Sequence, residues 1–320
     1  MTKSRACPIC EYPHASRVRT ATDRLFRTTQ EQFDLFGCPS CHLIFMDEEE
    51  VRDRLADFYP SGYWWTDAGS GGQLERKYRE WMVRHDQLAF VRNALGTSFS
   101  GRLLDIGCGS GTFVKVARQA GIDAKGLEMA SEAAQLAERE VPGNIFQGSE
   151  EELMKSAEQF DAIAMFHALE HVPQPFQYLK RLKKLFRSPG TLIIQVPNCA
   201  SLQSRLMGGR WYGLDCPRHL YNYSTFSVLH LLGRAGYRVR MTNQFSLRDN
   251  ACCMVSSLFP GLDPMASRVR ARARKGKRNP LLQIGSNAVY LSLMLMAQPL
   301  ARLESMLGRG GSIFVAASLD

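Results

Sequence analysis

The sequence predicts an α/β fold built on a doubly wound parallel sheet, and three observations carry that prediction. The apolar run Leu103-Leu104-Asp105-Ile106 enters a three-glycine turn, Gly107-Cys108-Gly109-Ser110-Gly111, and a helical pattern starts at Thr112. A second short strand, Ile122 to Leu127, follows and ends in the acid Glu128. Two further apolar strands, Phe160 to Phe166 and Thr191 to Val196, are separated by a helical stretch. Strands that alternate with helices pair in parallel with helices on both faces.

Each element has a chemical reading. Glycine accepts positive φ and lets backbone approach a ligand. A strand-to-helix turn of this kind presents N–H groups at the positive end of a helix, which suits a nucleotide. The dinucleotide fingerprint would place its third glycine at position 112, where the sequence has Thr112. Here the glycines alternate instead, and Asp105 precedes the first by two residues. Glu128 lies about 20 residues beyond the turn, one strand–helix–strand step, where a carboxylate accepts from two ribose hydroxyls. The strand Asp161 to Phe166 leads into His167-Ala168-Leu169-Glu170-His171-Val172. A helix is expected over 173–187, with Phe176, Leu179, Leu182 and Leu185 or Phe186 on one face and Pro189-Gly190 as its stop. Ser224 reads as the N-cap of a helix from Thr225 to Ala235, followed by a strand from Tyr237 to Phe245.

The Asp-x-Gly-x-Gly-x-Gly turn, the Leu-Glu-His-Val segment and Pro217-Arg218-His219-Leu220 together resemble class I S-adenosylmethionine (SAM) methyltransferases. More narrowly, they are similar to a bacterial small-molecule subgroup with an N-terminal paired Cys-x-x-Cys zinc module. The resemblance spans roughly residues 5–245 and implies a seven-stranded Rossmann-like sheet with SAM as methyl donor. The cofactor residues it implies are Asp105, Gly107, Cys108, Gly109, Gly111, Glu128, Met129, Ser149, Phe166 and His167. Ser149 stands where family members often carry an acid for the adenine amine. Phe146 is expected in the core or against the adenine. A hydroxyl or acidic-carbon acceptor needs a base, and histidine suits neutral pH. The candidates are His219, then His167 and His171, each weighed against a hydrogen-bonded structural histidine. His167, Glu170 and His171 also have the spacing to hold a divalent ion.

Cys7-Pro8-Ile9-Cys10 and Cys38-Pro39-Ser40-Cys41 form two knuckles. Their doubled spacing favours one structural Zn²⁺ on Cys7, Cys10, Cys38 and Cys41 over free thiols or a redox pair. The ion would replace the core that so short a module lacks. A helical connector is expected over 48–58 and a covering helix over 74–95, with a flexible break at 69–72 between them. Tyr63, in an aromatic cluster, is read as packing or as a contact to SAM or acceptor.

The chain of 320 residues carries a net charge of +9, much of it concentrated between Arg268 and Arg278. An uncharged run from Asn279 to Ala301 follows, interrupted by Gln283, Ser286, Asn287 and Ser292, which argues against a spanning helix. It reads as a helix packed on the sheet or a partner subunit, or as an interfacial helix beside a polybasic patch. Nucleic acid ranks last, because no aromatic platform accompanies the charge. An odd cysteine count of nine and no secretory signal at the start point to a reducing cytoplasm, with peripheral contact to the inner membrane face through 268–300.

The expected organisation is a zinc-ribbon-like module at 1–46 and a helical connector and cap at 47–100. A SAM-binding core follows at 101–246, then a basic and apolar helical insertion at 247–310, serving as a lid or membrane-facing element. The final strand lies in 311–320. The expected function is methyl transfer to a small or lipid-linked acceptor, oxygen favoured: a sugar, a quinone or phenolic precursor, or a secondary-metabolite precursor. RNA methylation, a non-catalytic SAM- or nucleotide-binding protein and an NAD enzyme remain as alternatives, and an oligomer is compatible with the apolar run.

Overall fold

The computed structural model describes residues 4–60, 72–273 and 280–319. The N-terminal segment forms β1 (Ser4–Arg5), β2 (Ala15–Thr22), β3 (Gln32–Gly37) and β4 (Ile44–Met46). The core supplies β5 (Arg102–Ile106), β6 (Asp123–Glu128), β7 (Ile145–Gln147), β8 (Phe160–Phe166) and β9 (Phe186–Pro197). Then come β10 (Tyr221–Asn222), β11 (Arg238–Asn243) and β12 (Ser312–Ser318).

Seven of these make one sheet in the order β11-β12-β9-β8-β5-β6-β7. The pairs among β5 to β9 are parallel, and β12 runs antiparallel between β9 and β11. Strands β5 and β8, and β9 from Leu192 onward, are almost wholly buried, as expected of strands covered on both faces. The chain order reverses between β5 and β8, whose carboxyl ends carry the glycine turn and His167. Ligands of open α/β sheets bind at such a switch point.

Local signals explain most boundaries. Ser149 caps the helix Glu150–Met154, and Ser224 caps Thr225–Arg234, each in a reciprocal capping box. The helix expected over 173–187 is shorter, Pro175–Leu182, followed by a tight turn at Lys183–Leu185. Pro189-Gly190 does not stop it, because both lie inside β9. Phe186 is buried and pairs with Phe160, so the apolar residue read as helical belongs to the sheet. A Cβ on Gly190 would collide with the Phe186 ring.

The small antiparallel sheet has the order β1-β2-β3-β4-β10. Its fifth strand comes from residues 221–222, so this sheet is not confined to the first 46 residues. Between β11 and β12 the chain inserts helices Asp249–Leu258, Pro264–Ala273 and Pro280–Met306. The last, about 40 Å long, lays Tyr290, Met294 and Ala297 on Ala251 and Val255 of the first. Its other face exposes Val289, Leu295, Met296, Leu300, Leu303 and Met306. Among the described residues no helix is long and apolar enough to cross a membrane. Tyr63, the break at 69–71 and Arg274, Lys275, Lys277 and Arg278 lie outside the described residues.

Candidate active site

Gly107, Gly109 and Gly111 all take positive φ, as the alternating glycines require. Gly111 is the tightest: φ is 75°, and a Cβ there would sit 3.0 Å from Ala137 of helix Ser131–Glu140. The turn is anchored by Glu128, whose buried carboxylate accepts from the N–H groups of Gly109 (2.9 Å) and Ala130 (2.9 Å). Asp105 lies fully buried below, and its Oδ1 has no hydrogen-bond partner. Burial and the nearby Glu128 charge push its pKa well above the usual carboxylate range. Burial also raises Glu128, opposed by the N–H groups it accepts from. An unpartnered buried carboxylate is costly unless a ligand completes it.

The other expected cofactor residues are placed less evenly. Cys108 is buried, with its sulfur against Gly126 of β6. Phe166 packs edge-on against Phe113, with ring centroids 4.6 Å apart. Met129 is largely exposed beside Glu128. Ser149 spends its hydroxyl on the capping box, although Gly148 just before it donates to the Glu128 carbonyl. Phe146 is half-buried against the core.

Beside this turn lies a second group of side chains. A Cβ on Gly107 would meet Ala168 at 3.1 Å, so the segment 167–171 abuts the glycine turn directly. His167 adopts φ of 55°, an uncommon backbone state for a non-glycine residue. Its Nε2 is 3.0 Å from Asp249 Oδ2, and its Nδ1 is 3.4 Å from Glu170 Oε1. Burial opposes the charged imidazole, but Asp249 and Glu170 outweigh it and raise its pKa to about 9. His167 is therefore a cation at neutral pH, and a protonated imidazole cannot accept another proton.

Glu170, His171 and His219 form a compact triad whose ligand atoms lie within 4.8 Å of one another. Both oxygens of Glu170 are buried; Oε1 faces the His167 imidazole at 3.4 Å, and Oε2 has no hydrogen-bond donor among the described residues. Burial works against its charge, yet His167, His219 and His171 hold it below the ordinary range. His219 Nδ1 is 2.8 Å from the Gly213 carbonyl, which can only accept. The proton therefore sits on Nδ1, and Nε2, 3.9 Å from Glu170 Oε1, offers a lone pair. His171 Nδ1 faces the Arg218 carbonyl (3.0 Å) and the Tyr59 hydroxyl (2.9 Å). Burial and the neighbouring His219 push its pKa down to about 4. Of the histidine–acid–histidine set read from local spacing, the structure keeps Glu170 and His171. It brings in His219 and turns His167 toward Asp249.

Several residues here carried no sequence signal of their own. Asp249 opens the insertion and also accepts from Gln195 Nε2 at 2.6 Å. Gln195 in turn accepts from Gln87 Nε2 at 3.1 Å. Gln87 and Asp86 lie on a π-helical turn, Arg84–Leu88, within the covering helix. Such turns recur at functional sites. Of these, Gln195 alone has a local signal, as a polar residue inside an apolar strand, and it was not among the residues singled out from sequence.

At the other end of the molecule the two cysteine knuckles share one backbone design. Cys7 N–H donates to Tyr12 and its carbonyl accepts from Glu11; Cys38 does the same with Leu43 and His42. Glu11 and His42 both take positive φ. The four sulfurs face inward, with Cys7 and Cys41 3.5 Å apart and Cys10 and Cys38 3.4 Å apart.

A family model described as a methyltransferase domain matches residues 74–241. The chain belongs to this methyltransferase family. The ubiquinone biosynthesis O-methyltransferase of Glaesserella parasuis is 26% identical over 195 residues, covering 57% of this chain and 78% of that protein. The enzyme of the same name from Actinobacillus pleuropneumoniae is 26% identical over 216 residues, covering 59% and 89%. Among solved structures, a SAM-dependent methyltransferase from Archaeoglobus fulgidus aligns with a TM-score of 0.47 at 18% identity, covering 76% of this chain and 94% of that one.

Proposed function

We propose that this methyltransferase methylates an oxygen of a small or lipid-linked acceptor. A quinone or phenolic precursor heads the candidates, ahead of sugars and secondary-metabolite precursors, because the relatives named above are quinone-pathway O-methyltransferases. The observation that carries the reading is the triad beside the glycine turn. Glu170 Oε2, which has no donor among the described residues, and the His219 Nε2 not spent on Gly213 are neighbouring hydrogen-bond acceptors, and the reading places the acceptor hydroxyl against them.

The residues of the glycine turn fit SAM. Asp105 would take its ammonium group, and Glu128, whose oxygens keep free lone pairs, would take the ribose hydroxyls. Cys108, Met129, Ser149, Phe166 and the three glycines would complete the wall. SAM supplies a methyl group already activated as a sulfonium. His219 accepts the acceptor's hydroxyl proton as the oxygen–carbon bond forms and the carbon–sulfur bond breaks. Glu170 then stabilises the imidazolium. His167 and Asp249 supply fixed charge behind it. Aligning the two reactants against this group is the larger part of the catalysis.

Glu170, His171 and His219 also match a divalent-ion site, which would hold the acceptor oxygen directly. Loss of transfer after chelation, restored by Mg²⁺ or Zn²⁺, would favour that form. The four N-terminal thiols fit a structural Zn²⁺: bonds of about 2.3 Å put tetrahedral sulfurs roughly 3.8 Å apart. The apolar face of Pro280–Met306 and the basic run before it support peripheral contact of 268–300 with the inner membrane face.

The test is tritiated-methyl transfer from SAM into extracts of the native cell, fractionated into lipid, small-molecule and RNA pools. Label in the lipid or small-molecule pool is expected. Label in RNA would overturn the reading. SAM binding without any transfer would leave a non-catalytic binding protein.

A further inference from the structure

Arg218 is a fully buried arginine, and all five of its N–H donors are engaged. Its Nε and Nη2 donate to the carboxylate of Asp215 (3.1 and 2.8 Å). Nη2 and Nη1 also donate to Asp23 (2.8 and 3.2 Å), and Nη1 donates to the Phe58 carbonyl (2.8 Å). The guanidinium carbon lies 4.7 Å from the centre of the Phe26 ring. Asp23 is equally buried and is fixed by the N–H groups of Phe26 and Thr28 and by the Thr28 hydroxyl. Burial disfavours its charge, but Arg218 holds its pKa below the ordinary value. Asp23 and Phe26 belong to the turn between β2 and β3, in the cysteine-bearing sheet, whereas Arg218 adjoins His219.

The same loop is held by that sheet at its other end. Leu220 accepts from Met46 N–H at 3.0 Å, and β10 pairs with β4. Inside the loop, Asp215 accepts through its backbone carbonyl from Arg218 and His219. The Arg218 carbonyl orients His171, and Leu220 N–H donates to the Glu170 carbonyl at 2.9 Å. Every member of the triad therefore touches a loop whose two anchors lie in the N-terminal sheet.

We infer that the N-terminal cysteine module is a positioning element for the acceptor half of the site. It acts through the Asp23–Arg218 clamp on the orientation of His171 and His219, and it leaves the SAM turn alone. The inference rests on the acceptor-side reading of those histidines given above. Arg218 and Asp23 are positioning residues, since neither has an atom left to offer a substrate. Arginine is required because only its planar fork meets two carboxylates and a carbonyl together.

The test uses the full chain, comparing Asp23→Asn and Arg218→Lys with the unaltered protein. Imidazole ¹⁵N spectra, assigned with His171→Gln and His219→Gln, report which ring nitrogen carries the proton. The unaltered chain should show the Nδ1–H form for both histidines. Both variants should lose that signature or average it, while SAM affinity by calorimetry stays within about two-fold and bound zinc is unchanged. Arg218→Lys keeps the charge without the fork, so it carries the test if Asp23→Asn fails to fold. Unmoved imidazole signals in a folded variant would overturn the inference. So would a parallel loss of SAM affinity in both variants, because the clamp would then support the whole fold. Full methyl transfer by His219→Gln would remove the base assignment yet leave the ¹⁵N result standing, so the two readings fail separately.

Discussion

The cofactor half and the acceptor half of this site are built in opposite ways. The cofactor half is nearly continuous in sequence: Asp105, three glycines, and Glu128 one strand later. Its atoms are held by backbone, through the N–H groups that Glu128 accepts and the glycine φ angles. The acceptor half draws Glu170 and His171 from one turn, His219 from a second loop, Asp249 from the insertion and Gln87 from the covering helix. Its atoms are held by side chains and charge. The backbone-built half should keep its shape when a charge is removed, losing only that group's contact to the ligand, but should be distorted by added volume; the other half should lose its geometry when a charge is removed.

The largest effect that would sharpen this contrast is expected at His219. His219→Gln should lower the methyl-transfer rate by about 10² to 10⁴ and leave SAM affinity within about two-fold. Transfer at the unaltered rate would remove His219 as base. Next comes the cofactor side, where Asp105→Ala should weaken SAM binding roughly 100-fold, an ordinary loss for a buried charged hydrogen bond. Gly111→Val should do similar damage by volume alone, since the new side chain meets Ala137 and φ is positive. Circular dichroism should show that all three variants remain folded.

A smaller effect concerns protons. Without ligand, Asp105 is raised and holds its proton to higher pH than a free carboxyl group does. Pairing with an ammonium group requires the carboxylate, so SAM binding should release a proton and tighten as pH rises. Calorimetry in buffers of different ionisation enthalpy measures that release. Proton uptake, or none at all, would contradict the assignment of Asp105.

The smallest effect is on stability. His167 has a raised pKa of about 9 in the folded chain. The stabilisation from its ion pairs is fully present below its unfolded value of about 6.5 and is lost as pH rises through about 9. The difference in Tm between the unaltered chain and His167→Gln should therefore shrink from pH 6.5 to pH 10. A difference that does not change with pH would mean that His167 is neutral in the fold.

The same contrast explains how much was legible in the sequence. The α/β sheet, the insertion before the last strand and the Ser224 cap follow from local periodicity and capping chemistry, which act over a few residues. The glycine turn is local for the same reason. Pro189-Gly190 misled because local turn chemistry competes with a buried strand, and Phe186 pairing with Phe160 decides in favour of the sheet. Spacing also grouped His167 with Glu170 and His171, since only the fold brings His219 within reach. Asp249 and Gln87 were invisible because their roles depend on a helix packed across the site and on a π-helical turn. Asp23 and β10 depend on the N-terminal sheet closing over a loop about 200 residues away.

Calorimetric titration of SAM into the unaltered chain, Asp105→Ala and His219→Gln tests the division between the two halves most directly. Tight binding to the unaltered chain and to His219→Gln, with roughly 100-fold weaker binding to Asp105→Ala, is the predicted result. Equal affinity of all three would mean that the glycine turn and its buried carboxylate do not receive the methyl donor.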